Sequence, residues 1–345
     1  MYRTALVIGK FLPPHRGHHF LIDTARSQAD QVTVIVCDRP EQPIRGDVRA
    51  AWLSEVHPGI DVRVVEDRLD PDDSRAWAKQ TLRWLGYVPD AVFTSEAYGD
   101  AYARFLGCTH ICVDLDRRRV PCTGRRILED PLEHWEFLEP CVRANFVKRV
   151  CIVGAESTGT TTMAKALADH YRTLCVPEYG RQYAEDMMNG KAETWRSEEF
   201  VHIAGVQSRR EDEAARLANR LLICDTDAFA TGIWHERYMG FRSGEVESIA
   251  KTRRCDLYLV TDVDTPFVQD GTRDGEHVRP WMHQRFLEEL ATRQTPYALL
   301  SGSHLERLRT AIQLIDLLVQ PNDAGQLADR DAKAAEVRTG PGGVR

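Results

Sequence analysis

No stretch of this 345-residue chain approaches the ~20 consecutive apolar residues that a membrane-spanning helix needs. The amino-terminal run MYRTALVIGKF meets glycine and lysine too soon for a secretory h-region. No membrane partner and a cytoplasmic location are therefore expected. The nine cysteines include no C-x-x-C pair, and several sit in apolar runs where cysteine acts as a small hydrophobe. An odd number so placed argues against a disulfide framework or a zinc ribbon, and for a reducing compartment. Positive charge is not in excess: the net charge is −7 and the pI about 6.0. No global field draws the protein onto nucleic acid, so no nucleic-acid partner is expected. Lysine is scarce, occurring only at Lys10, Lys79, Lys148, Lys165, Lys191, Lys251 and Lys333. There is no solenoid-period repeat.

What is present is one grammar used twice: an apolar strand, a glycine-containing turn, then a helix. Strands are expected at Thr4–Gly9, Val32–Asp38, Asp61–Asp67, Ala91–Glu96 and Thr109–Asp114. Helices are expected between them at His18–Arg26, Val48–Val56, Ser74–Leu85 and Tyr98–Leu106. The pattern restarts at Lys148 with RVCIVGA, followed by strand-like Leu221–Asp227, Leu257–Val263 and Tyr297–Gly302. Near-continuous apolar strands alternating with helices imply parallel sheets covered on both faces. The fold class is α/β, with one domain over residues 1–145 and a second over 146–320. No Gly/Ser-rich linker joins them, which predicts packed rather than tethered domains. Residues 321–345 are polar, poor in aromatics and end in a Gly/Pro cluster, the composition of a disordered tail.

The first chemistry-bearing stretch is Gly9-Lys10-Phe11-Leu12-Pro13-Pro14-His15-Arg16-Gly17-His18, which fits G-x-F-x-P-x-H-x-G-H at every fixed position. Gly9 ends the strand and lets a phosphate approach the backbone. A helix beginning near Gly17 turns its free N–H groups to the same spot. His15 and His18 are three apart, which puts both imidazoles on one face, able to donate to phosphate oxygens as charge builds. The motif resembles that of the nucleotidyltransferase superfamily. That resemblance implies a Rossmann-like parallel sheet, ATP or CTP as donor, and transfer with no covalent protein intermediate.

The superfamily carries a second motif, S-x-T-x-x-R, that grips the triphosphate. Here two registers compete. In one, Thr123 and Arg126 take the Thr and Arg positions, with Pro121 in place of Ser. In the other, Thr123-Gly124 stands for Ser-Gly, Arg125 replaces Thr and Leu128 replaces Arg. Either keeps a guanidinium near the phosphates; the competing view is a solvated basic loop, since Arg117, Arg118 and Arg119 precede it. Arg45, Arg49 and Trp52 form one supporting cluster, with Trp52 either acceptor-binding or core. Ser95, Glu96, Tyr98 and Gly99 form another at a strand's carboxyl end, where open α/β sheets bind ligands.

The second stretch, Gly154-Ala155-Glu156-Ser157-Thr158-Gly159-Thr160-Thr161-Thr162, lies between a strand and a helix, as a P-loop must. In G-x-x-x-x-G-K-[ST], Thr160 stands where lysine belongs, and Thr161 keeps the Mg²⁺-binding hydroxyl. Arg273 and Arg279, in a Gly/Asp-rich lid segment, are candidates to replace the missing charge. Asp225 or Asp227 would hold Mg²⁺ or accept the substrate hydroxyl proton, unless the aspartate is a helix cap. Glu178, Tyr179 and Arg181 form a candidate acceptor clamp.

Taken together, GKFLPPHRGHHFL, DPLEHWEFLEP, GAESTGTTT, VPEYGRQYAE, ICDTDAFATGIW and DGTRDGEH resemble the NadR family over Thr4 to Leu318. The resemblance implies a fused nicotinamide-mononucleotide adenylyltransferase and ribosylnicotinamide kinase, with ATP, nicotinamide mononucleotide and nicotinamide riboside as partners and Mg²⁺ as cofactor. Some members carry a helix-turn-helix; this chain starts at its first strand, so DNA binding is not expected. Two alternatives stand beside this reading. One is a kinase-inactive, nucleotide-sensing second domain; the other is a transferase for another phosphorylated acceptor, such as pantetheine phosphate or a sugar phosphate. A homo-oligomer is left open.

Overall fold

The computed structural model describes residues 1–70, 72–188, 195–268 and 275–320. The chain divides into two compact units, Met1–Arg143 and the residues from Ala144 onward. The expected tail at 321–345 and Arg273 lie outside the described residues. No helix among those described is long and apolar enough to cross a membrane.

The first unit holds five parallel strands: β1 (Tyr2–Gly9), β2 (Ala29–Asp38), β3 (Asp61–Glu66), β4 (Ala91–Thr94) and β5 (Thr109–Cys112). Their order is β3-β2-β1-β4-β5. The run TALVIG is apolar at successive positions because both faces of its strand are covered. Ala5 and Val7 join the core on one face, while Leu6 joins the core on the other. Helices are closed by local chemistry. Asp73 accepts from Ala76 N–H at the start of helix Ser74–Leu85, and Gly86 ends it at φ +80°, a conformation that glycine adopts without strain.

The second unit repeats the plan with β6 (Lys148–Gly154), β7 (Leu174–Val176), β8 (Leu221–Asp225), β9 (Leu257–Thr261) and β10 (Tyr297–Leu300). All its pairings are parallel, in the order β10-β9-β6-β8-β7. In each unit the first strand is central, and its carboxyl end opens where the chain crosses to either side, the usual ligand position of an open α/β sheet. Both α/β sheets expected from the sequence are present. The sequence pattern did not reveal β7, an edge strand of three residues. Nor did it reveal helix Ala228–Met239, which is buried on most of its faces and so shows little periodicity.

Candidate active sites

The first site lies at the carboxyl end of β1. Helix Arg16–Gln28 begins one residue earlier than its expected glycine, and His15 is its N-cap. The His15 Nδ1 accepts the Gly17 N–H at 3.1 Å and lies 3.2 Å from Cys122 Sγ. A nitrogen that accepts carries no proton, so the neutral His15 ring holds its proton on Nε2. The His15 and His18 rings stack with centroids 3.8 Å apart, and Phe11 meets His18 edge-on at 4.9 Å. Burial lowers the His15 pKa to about 4, and the Arg117 charge pushes the same way. His18 is also held well below the ordinary range, by burial first and then by His15, His19 and Arg117. Both rings are therefore neutral donors at physiological pH, not standing cations.

These rings face a cavity of about 920 Å³. Gly9, Phe11 and Gly17 from the first motif line it, as do Thr123, Gly124 and Arg125 from the second. The competition between registers has a geometric answer. Leu128 also lines the wall, whereas Arg126 is exposed and lies outside the lining. A Cβ on Gly124 would sit 2.5 Å from the Leu12 carbonyl, so glycine is required where the two loops meet. The residues of the second register thus line the cavity, whereas Arg126, expected in the first register to contact phosphate, does not. Its backbone N–H bonds Thr123 Oγ1 at 3.2 Å as part of a helix cap.

Trp52 is half-buried on helix Gly46–Val56 and does not line the cavity. Trp77, Tyr98 and Tyr102 supply aromatic wall there. Arg49 is fully buried: its guanidinium bonds the Lys10 carbonyl, Cys37 O at 3.2 Å, Asp38 and Gln42 Oε1 at 2.6 Å. It ties the start of the histidine loop to the end of β2 and cannot reach a ligand. Cavity arginines that the motifs do not mark are Arg39, paired with Asp67 at 2.9 Å, and Arg117, paired with Glu96 at 2.9 Å. Arg125 pairs with Glu129 at 2.9 Å.

The second site lies at the carboxyl end of β6. The loop turns at Ser157 (φ 59°) and Gly159 (φ 88°) into helix Thr160–Tyr171. A Cβ on Gly154 would meet Thr261 Oγ1 at 2.1 Å, so the loop's first glycine is required by packing on β9. Thr158 Oγ1 bonds the Ala155 carbonyl at 2.7 Å and Thr261 Oγ1 at 2.6 Å. The Arg307 guanidinium, nearly all buried, donates to the Thr158 carbonyl at 3.0 Å. The loop is thus held from beneath by residues outside its own motif.

Thr161 Oγ1 donates to Asp225 Oδ2 at 2.6 Å, and the Thr160 hydroxyl also acts on this carboxylate. Asp225 is 2% exposed and its Oδ1 has no hydrogen-bond partner. Burial raises its pKa, opposed by the two hydroxyls and by the charges of Arg181 and Lys165. Glu178, half-buried beside it, is pushed up to about 7 by burial, with the Asp225 and Glu156 charges adding and Arg181 opposing. Tyr179 stacks under Arg210, whose guanidinium lies 4.5 Å from its ring centre, and bonds Gln207 through its N–H at 2.9 Å.

Two expectations for this site are corrected. Asp227 is a cap: one oxygen accepts the Ala230 N–H at 2.9 Å and the other the Tyr258 hydroxyl at 2.6 Å, with the residue 4% exposed. Both of its oxygens are thus engaged inside the fold. Arg279 is buried, and donates to the Thr265 carbonyl at 2.8 Å, so it is a strut of the segment after β9 rather than a mobile lid arginine. Among the described residues, no group of three or more His, Cys, Asp or Glu side chains could hold a metal alone.

The chain is similar to proteins of known family. Residues 149–307 match a family model described as an AAA domain. The chain is 30% identical over 309 residues to the trifunctional NAD biosynthesis/regulator protein NadR of Escherichia coli (strain K12), covering 83% of this chain and 75% of that protein. The same protein of Salmonella typhimurium (strain LT2) is 30% identical over the same shares. A NadR protein solved in complex with NAD and AMP-PNP superposes with a TM-score of 0.74 at 22% identity, over 92% of this chain and 96% of that one. A NadR protein in complex with NR gives 0.73 at 20% identity, over 91% and 96%. These structural likenesses establish the shared fold.

Proposed function

Because the chain belongs to the NadR family, we propose that it makes NAD from nicotinamide riboside in two ATP-dependent steps, one in each unit. The observation that carries the transferase step is the stacked, neutral His15–His18 pair on the 920 Å³ cavity. A phosphate oxygen of nicotinamide mononucleotide attacks the α-phosphorus of ATP. The bond from that phosphorus to the bridging oxygen breaks, and its electron pair leaves with pyrophosphate. His15 Nε2–H and His18 donate to oxygens as charge grows, which is worth most in a site closed to water. No protein nucleophile is needed, because positioning and charge stabilisation suffice for phosphoryl chemistry.

In the second unit, the riboside hydroxyl takes the γ-phosphoryl group of ATP. Asp225 and Thr161 would hold Mg²⁺, and the partnerless buried Oδ1 of Asp225 fits that use. Bound there, Mg²⁺ would neutralise charge on the phosphate oxygens. Glu178, with its raised pKa, would take the hydroxyl proton near neutral pH, while Tyr179 and Arg181 would frame the acceptor. Thr160 favours a second reading, in which this unit senses nucleotide without phosphorylating.

The test is to incubate the protein with Mg·ATP and either nicotinamide riboside or nicotinamide mononucleotide, following each product. NAD from the mononucleotide, lost in His18→Ala, supports the transferase; absence of NAD rejects it, and a panel of other phosphorylated acceptors then follows. Mononucleotide formed by the wild type supports the kinase. A kinase seen only in Thr160→Lys supports the sensing reading.

A further inference from the structure

Three consecutive arginines, Arg117, Arg118 and Arg119, read in sequence as a basic surface loop. The structure sends them three ways. Arg118 meets Asp116 at 3.4 Å with both side chains largely in solvent. The Arg119 guanidinium lies 5.6 Å from the ring centre of Phe20. Arg117 alone of the three lines the cavity of His15 and His18, and reaches Glu96 Oε1, on the same wall, at 2.9 Å.

The turn that presents Arg117 is built rather than loose. Asp114 (φ 53°) and Arg117 (φ 51°) are both left-handed, which is costly for residues other than glycine. The Asp114 carbonyl accepts the Arg117 N–H at 2.9 Å. Its carboxylate accepts the Arg119 and Val120 N–H groups, each at 3.0 Å. Such backbone strain persists only where the surroundings fix it, and it concentrates at functional positions. Of the arginines and lysines of this unit, Arg117 is the one whose charge bears on both His15 and His18. Arg125, at the position where the family motif has threonine, is more exposed and is tied to Glu129 on its own helix. Leu128, at the position where the family motif has arginine, brings no charge.

We propose that Arg117 is a further catalytic residue of the transferase, gripping the polyphosphate of the nucleotide beside the two histidines. Its planar guanidinium suits two phosphate oxygens at once. As the bond from α-phosphorus to the bridging oxygen breaks, the electron pair that leaves with pyrophosphate is met by a fixed positive charge. Glu96 holds the guanidinium in place, and bound phosphates would take over from this carboxylate. The inference rests on the transferase reading.

Wild type, Arg117→Ala and Arg118→Ala are compared for NAD formation from ATP and nicotinamide mononucleotide, and for ATP binding by calorimetry without acceptor. Arg117→Ala is expected to lose ~10²-fold or more in kcat and to bind ATP more weakly, with Arg118→Ala within ~2-fold of wild type. Methylguanidinium added to folded Arg117→Ala should restore part of the rate, as it would not for a residue that only shapes the turn. Retention of activity within ~3-fold in Arg117→Ala, or no recovery with methylguanidinium, overturns the proposal. If the wild type makes no NAD, the transferase reading has failed instead. Equal ATP affinity in wild type and Arg117→Ala then removes the phosphate contact as well.

Discussion

Both units place a glycine-bearing loop after a central first strand, yet they surround it with opposite charge chemistry. The first brings neutral imidazoles, lowered in pKa by burial, to a cavity whose arginines Arg39, Arg117 and Arg125 are each held by a carboxylate. The second gathers acids: Asp225 and Glu178 are raised in pKa, and the lysine that would balance them is replaced by Thr160. The contrast shows that one backbone solution, a glycine turn into a helix, leaves the source of the charge free to differ. The first site carries its cations within the wall. In the proposed reaction the second would draw on a metal ion held by Asp225 and Thr161 and on arginine from outside the loop motif.

Removing one element from each site separates them. His18→Ala should lower NAD formation from the mononucleotide by ~10³-fold and leave riboside phosphorylation unchanged; equal loss in both assays would contradict separate sites. Asp225→Asn should do the converse, reducing phosphorylation by ~10²-fold with the transferase intact. Gly124→Ala drives a methyl group against the Leu12 carbonyl. It should destabilise the first unit by ~1–3 kcal/mol, read as an earlier thermal transition assigned to that unit, while that of the second stays in place.

The subtlest difference is in pH. His15 falls from 6.5 to about 4 on folding, so its contribution is complete above pH 6.5 and is lost as pH falls toward 4. Glu178 and Glu211 rise from 4.5 to about 7, so their contribution is complete below pH 4.5 and is lost as pH rises through 7. Between pH 4.5 and 6.5 the first unit should therefore gain stability with rising pH and the second lose it. Hydrogen exchange resolved by unit reads this directly, and parallel trends in the two units would refute the comparison.

Much of this was legible in the sequence because it rests on short-range pattern. Continuous apolar runs such as TALVIG and RVCIVG could only be covered parallel strands, and the histidine motif and the glycine loop sit where such strands end. What was not legible depends on partners distant in sequence. Asp225 and Asp227 are two residues apart after the same strand, and only the Ala230 N–H and the Tyr258 hydroxyl make one of them a cap. Arg117 and Arg126 are equally basic in sequence; Arg117, on a left-handed turn, lines the cavity, and Arg126, in the first turn of a helix, does not. Arg49 and Arg307 support the two loops from inside the fold, and no motif marks a residue whose role is to bond a carbonyl.

The most direct measurement follows the products of nicotinamide riboside and Mg·ATP over time with wild type and His18→Ala. The account predicts mononucleotide and then NAD from the wild type, with His18→Ala stopping at the mononucleotide. Riboside left unconsumed by the wild type, or NAD made by His18→Ala at the wild-type rate, would contradict it.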